Sequence, residues 1–309
     1  MIQTRDGMAD WFLYTELEVA PSLSKDAVYR AMKYLAPALI ALFVAMPLAA
    51  DSLQTGYQDM YNLHFDAAHK DFQSYESANP ADPMGPVSDA AAYLFFEFER
   101  LNVLRSDFLT DDSSFLSSSK KLKADPQVKR DFEAALAHSK ALSDAMLQKQ
   151  TDSREAILAN VIRIALHADY VAAIEKDNWQ ALNEIKQARN MADALVKRYP
   201  DCYDAYLAMG VENYLLSQKM APVRLFLRMT GAQTDKQEGL VKLRIVADKG
   251  VYLKPYAKIL LAIAALRDNN RKDAVSLLKQ LAVQFPGNSL FRDEIKKLCE
   301  PSLAVCANS

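Results

Sequence analysis

The chain has 309 residues, half of them hydrophobic and a quarter charged, with a formal net charge of −2. That balance gives no global field for nucleic acid or an acidic membrane surface, and no nucleic-acid partner is expected. Eight glycines, four histidines and three cysteines leave little material for phosphate-binding glycine loops, turn-rich β-architectures or metal clusters.

The first patterned segment is the apolar run Leu35 to Ala50, LAPALIALFVAMPLAA. A membrane-spanning helix needs about 20 apolar residues, so a run of this length, interrupted by Pro37 and Pro47, suits the hydrophobic region of a signal peptide. Lys25, Arg30 and Lys33 lie on its N-terminal side, and Ala49 and Ala50 precede Asp51 as a cleavage junction. Residues 1–31 carry Asp6, Asp10, Glu16, Glu18 and Asp26 and fit poorly before such a signal. Met32 then reads as the start, with 1–31 a non-native or atypical extension and 32–50 the signal. The alternative is an uncleaved anchor in an inner membrane, and membrane contact is otherwise not expected. Both place residues 51–309 outside the cytoplasm, in a periplasm or cell envelope. There Cys299 could pair with Cys306; otherwise Cys299 is buried and Cys306 free.

From Asp51 onward, apolar residues recur at helical spacing. Helices are predicted over Leu53–Asn62 and Phe65–Ala78, the second stopped by Asn79-Pro80 because a proline disfavours helical geometry in the residue before it. An aromatic helix over Val87–Leu104 follows, then a polar, serine-rich insertion at 105–124 with a short helix near Phe115 and Leu116. Long helices run from Asp125-Pro126 to Gln150, from Asp152 or Ser153 to Glu175, and from Trp179 to Tyr199. Asp201–Ser217 forms the next. Pro222 suits the first turn of a short helix ending near Gly231. Helices at Asp235–Gly250, Leu253–Arg267, Arg271–Phe285 and Asn288–Leu298 complete the chain, the last suited to a cap over 288–299.

Two hairpins share one internal spacing. Gly56, Ala68, Phe72 and Pro80 place a small residue, a second small residue twelve on, a bulky one four later, and a proline eight beyond that; Ala262, Ala274, Leu278 and Pro286 repeat it. Small residues let paired helices approach, the bulky residue fills the gap, and the proline ends the second helix. These units resemble tetratricopeptide repeats over residues 52–86 and 255–298. Between them Trp179, Leu182 and Pro200 resemble a second helix at the wrong spacing, and Asp204–Tyr214 resembles a first helix with Gly210 at the small position. Residues 220–250 read as non-repeat. The helix carrying Asp235, Gly239, Leu240 and Leu243 also resembles a divergent family that includes a mitochondrial tetratricopeptide protein linked to inclusion-body clearance, although a secretory signal argues against that setting. The resemblance implies an all-α, right-handed superhelical solenoid of antiparallel helix pairs.

Chemistry has little footing in the sequence. His64 and His69 are spaced five apart, His138 and His167 stand alone, and neither a paired-cysteine nor an HExxH pattern occurs. No GxSxG is present. The chain is expected to be a non-enzyme without cofactor or metal. First-helix residues line the groove of such solenoids, which makes Tyr57, Met60, Tyr61, Tyr206, Asn213 and Tyr214 candidates for gripping a protein or peptide; packing within the solenoid is the other role open to each. Leu53, Tyr57, Ile259 and Ile263 stand where chaperone-binding repeats carry their carboxylate clamp, so that function is not expected. Arg224 and Arg228 share a helical face in a basic segment around Gly231, suited to a small anionic ligand or to simple solvation. The expected function is an exported scaffold binding a protein or peptide. The alternatives are a helical enzyme or anion-binding protein using the basic segment, and a membrane-anchored assembly factor.

Overall fold

The computed structural model describes residues 48–105, 121–218, 229 and 231–300. The extension 1–31, nearly all of the signal, the core of the serine-rich insertion, the short helix after Pro222 with Arg224 and Arg228, and Cys306 lie outside them. Among the described residues there are eleven α-helices and no strand: α1 Leu48–Tyr61, α2 Phe65–Ala78, α3 Met84–Arg100, α4 Pro126–Lys149, α5 Arg154–Tyr170, α6 Asn178–Arg198, α7 Tyr206–Ser217, α8 Lys236–Lys249, α9 Lys254–Arg267, α10 Arg271–Gln284 and α11 Ser289–Cys299.

Local chemistry sets the helix ends. Asp125 accepts hydrogen bonds from the backbone of Gln127 and Val128 at the start of α4, with Pro126 in the first turn. Ser153 caps α5 through Ala156, Asp177 caps α6 through Gln180, and Asp235 caps α8 through Gln237 and Glu238. Each side chain satisfies a backbone N–H that the helix cannot, an interaction whose loss typically costs about 1 kcal/mol.

The helices associate as five hairpins, α1/α2, α3/α4, α5/α6, α7/α8 and α9/α10, with α11 packed on α10. The small–small–bulky spacing has a direct physical basis. A Cβ on Gly56 would sit 2.5 Å from the Phe72 ring, and Ala68 and Phe72 are fully buried. Ala262, Ala274 and Leu278 are likewise buried in the last hairpin.

The fourth hairpin pairs α8, from the stretch 220–250 read as non-repeat, with α7. Its α8 packs on α7 through a glycine crossing: a Cβ on Gly239 would lie 2.9 Å from the Gly210 carbonyl oxygen, and one on Gly210 would meet Leu243 at 3.0 Å. Gly210, Gly239 and Leu243 therefore fill the small, small and bulky positions, with the chain between α7 and α8 inserted into the unit. In the third hairpin, Ala188 and Ala192 are buried, and Ala188 stands twelve residues before Pro200. Only the small-to-proline interval recurs there: the position four after Ala188 is Ala192 rather than a bulky residue, and the position twelve before it is Lys176.

α5 is the central helix. Counted with the turn that continues it, the span Arg154–Glu175 is long and apolar enough to cross a membrane, yet most of that apolar window is buried inside the stack. The helix continues into a π-helical turn, Val171–Glu175, which ends at Lys176 in the left-handed region (φ 59). Such turns widen the backbone helix and are frequent at functional sites.

The stack differs from an open solenoid in one respect: its ends meet. The turn after α1 contacts the turn before α11. Asn62 Oδ1 accepts from the Gly287 backbone at 2.8 Å, and Asn288 Nδ2 donates to the Tyr61 carbonyl at 2.9 Å. Gln58 donates to the Gln284 carbonyl at 2.9 Å. Tyr57 lies against Tyr252 and Tyr61 against Phe285, with ring centroids 5.2 and 5.3 Å apart. Repeats in a linear array touch only their neighbours; here the first hairpin touches the last.

Candidate functional site

The first helices of successive hairpins, α1, α3, α5, α7 and α9, face one another across the inside of the stack. Because the ends meet, this inner face is enclosed. Tyr57, Met60 and Tyr61 do line it, but they are core residues, 5%, 1% and 3% exposed. Tyr57 accepts from Ser88 at 2.9 Å and packs edge-on against Phe72. Tyr61 packs on Phe95. Tyr214 is buried on the same face. Asn213 is buried elsewhere, donating to the Met209 carbonyl and accepting from the Asp235 backbone, so that it ties α7 to the start of α8. Five of the six groove candidates thus have packing roles. Tyr206 alone is half-exposed, its hydroxyl donating to the Pro200 carbonyl. Arg224 and Arg228 lie outside the described residues.

Two other arrangements are open to a ligand or partner. The first is a surface groove across α8, α9 and α10. Its floor is apolar, from Leu240, Leu261 and Leu277. Its walls carry Arg244 and Lys258 beside Asp248, Asp268 and Asp273. Burial holds the Lys258 ammonium below its usual range, with Lys254 adding to the effect. A strip of apolar floor with charges of both signs above it suits an extended peptide, whose backbone and alternating side chains present both characters.

The second is the enclosed face itself. Adjoining chambers there share Phe95 as a wall. The largest is walled by side chains such as Ile185, Val211, Ile259 and Ile263, with Arg267 at one end. Away from Arg267 it carries an acid, Asp169 in the last turn of α5 before the π-helix. Tyr256 Oη donates to Asp169 Oδ2 at 3.0 Å. Burial raises the Asp169 carboxyl to about 7, and the Tyr256 hydrogen bond offsets this only in part. The Tyr256 hydroxyl is pushed well above its usual range, first by burial and then by the Asp169 charge.

Sequence reasoning did not single out Asp169 or Tyr256. The available signal was an acid near the end of the largely apolar helix α5, where Arg163 and His167 are its nearest charged or titratable neighbours in sequence. It also missed Asp204, a buried carboxylate that receives the backbone N–H groups of Val251, Tyr252 and Leu253 at 2.9–3.2 Å. Among the described residues no group of three or more His, Cys, Asp or Glu side chains is arranged to hold a metal ion.

No family model matches the chain, and no curated protein does. Among solved structures it is similar to a thermophilic TPR protein of Thermus thermophilus, at 12% identity over 81% of this chain and 98% of the other, with a TM-score of 0.42.

Proposed function

We propose that the chain is an exported helical-repeat scaffold that binds a protein or peptide partner in the cell envelope and performs no chemistry on it. The observation that carries this reading is the groove across α8–α10, with an apolar floor and mixed charges along an extended path. The hairpin stack supplies a rigid frame for such a groove, as repeat architectures do. The location is supported by the apolar run before Asp51 and by Cys299, which is disulfide-bonded, a state that oxidising compartments maintain. Cys202 is free and buried.

Panning a displayed peptide library against the full chain tests the binding role. Selected peptides should lose about tenfold in affinity for the Arg244→Glu/Lys258→Glu variant, a change of about 1.4 kcal/mol. Peptides that bind both proteins equally would place the partner elsewhere. N-terminal sequencing of the mature protein tests the location: a start at Asp51 is expected, and an intact N-terminus would favour the anchored alternative.

A further inference from the structure

The enclosed face holds a feature that peptide binding on the outer groove does not use. Ile259, Leu260 and Ile263 of α9 and Val211 and Leu215 of α7 are apolar and only partly buried, although they point into the stack. Their uncovered surface belongs to the chamber they wall. Along α9 the wall runs from Tyr256 through Ile259 and Ile263 to Arg267, eleven residues and so about 16 Å at 1.5 Å per residue. That is a narrow apolar channel with the length of a dodecyl chain.

Asp169 stands at the inner end. It borders both the large chamber and the one beneath Tyr57 and Met60. Tyr256 engages its Oδ2; among the described residues Oδ1 has no hydrogen-bond partner and no cation pairs with the carboxylate. A carboxylate in apolar surroundings is costly unless paired. The group that would pair it is a hydrogen-bond donor, and the walls leading to it are mostly apolar among the described residues. Arg267, at the far end, would meet whatever emerges from the channel.

We propose that the enclosed face is a binding site for a single-chain aliphatic amphiphile whose head group, an amine or a hydroxyl, donates a hydrogen bond to Asp169. The chain lies along α9 between Ile259 and Ile263, and the head reaches Oδ1 beside the Asp169–Tyr256 pair. The arrangement follows the usual form of small-molecule sites, in which apolar walls supply most of the contact and a few placed polar groups fix orientation. The π-helical turn after Asp169 lines the same chamber through Ala172 and Ala173, where small side chains leave room beside the carboxylate.

The test uses the full chain at pH 8 with dodecylamine, dodecanol and dodecanoate below their micelle concentrations, and with butylamine as the short-chain control. Binding is read by native mass spectrometry and isothermal titration calorimetry. One retained molecule of dodecylamine or dodecanol is expected, with butylamine and dodecanoate bound at least about tenfold more weakly. Asp169→Asn keeps an acceptor oxygen but removes the charge. It should weaken dodecylamine about tenfold and dodecanol by less, because the amine loses an ion pair as well as a charge-assisted hydrogen bond and the alcohol loses only the latter. Ile263→Trp, which fills the channel, should abolish both. If either variant fails to fold, the wild-type series decides alone. Retention of dodecanoate equal to that of dodecylamine, retention of neither amine nor alcohol, or an Asp169→Asn variant that binds dodecylamine unchanged would overturn the proposal. None of these outcomes bears on peptide binding at α8–α10, which is read with separate variants.

Discussion

Asp204 holds the fourth and fifth hairpins together, and its removal has a cost that can be worked out. The residue is 4% exposed, and its carboxylate receives the N–H groups of Val251, Tyr252 and Leu253, the turn that starts α9. Asp204→Ala leaves three backbone donors without a partner. An unsatisfied buried donor costs about 1–3 kcal/mol. Water can reach the exposed Val251, so the expected loss is about 3–4 kcal/mol rather than the sum of three full penalties. Asp204→Asn keeps an oxygen at the Oδ1 position, which alone accepts from all three groups, and sets its NH2 against the Val251 N–H. It should cost about 1–2 kcal/mol. Urea denaturation followed by far-UV circular dichroism gives both values. Amide exchange at 251–253 should accelerate in the alanine variant ahead of the rest of the chain. An alanine variant within about 1 kcal/mol of wild type, or an asparagine variant as damaging as alanine, would refute the view that the carboxylate organises this turn.

Further outcomes follow from the packing and from Asp169. Gly56→Ala places a methyl group 2.5 Å from the Phe72 ring and should destabilise by about 1–3 kcal/mol, the usual cost of overpacking. Phe72→Leu in the same chain should recover part of that loss, and strictly additive effects in the double-mutant cycle would show that the two residues do not share the contact. Burial lifts the Asp169 carboxyl to about 7, so between about pH 4 and 7 the folded chain keeps a proton that the unfolded chain has released. Its contribution is therefore present below the unfolded value and lost as pH rises through about 7, at no more than about 1.4 kcal/mol per pH unit. Asp169→Asn removes that share, so its stability relative to wild type should rise from pH 4 to pH 8 in urea melts. A flat difference, or one of opposite sign, would contradict the assignment.

The helices were legible because each carries its own local signals. Asp125-Pro126, Ser153 and Asp235 mark starts, and Pro80, Pro200 and Pro286 mark stops, so the predicted spans lie within a few residues of those observed. The repeat was legible only where its spacing is uninterrupted. Gly210 and Gly239 meet in space as Gly56 meets Phe72, but the chain inserted between α7 and α8 moves the second small residue away from its fixed offset. Of the two roles open to the groove residues, Tyr57, Met60, Tyr61 and Tyr214 take the packing one on the inner face, and Asn213 is buried between α7 and the start of α8. Helical periodicity says that Tyr57 and Tyr61 look inward from α1; it says nothing of Tyr252 and Phe285 arriving to cover them from the far end of the chain. The Asp169–Tyr256 pair was hidden for the same reason, since it joins α5 to α9 and neither helix signals the other.

The junction between Asn62 and Asn288 also bears on the order in which the protein acquires stability. A linear repeat array gains its final contacts hairpin by hairpin, and synthesis from the N-terminus leaves each finished unit in its final surroundings. Here Tyr57 and Tyr61 wait, uncovered, until Tyr252, Phe285 and the Gly287–Asn288 turn exist. The earliest hairpin is among the last to be completed, and a chain cut short before α10 lacks the Phe285 ring and the Gly287–Asn288 turn that close over Tyr61. Long-range closure of this kind slows folding and makes unfolding a shared event. Until those final turns emerge, the chain carries uncovered apolar surface of the kind that makes incomplete chains prone to aggregation.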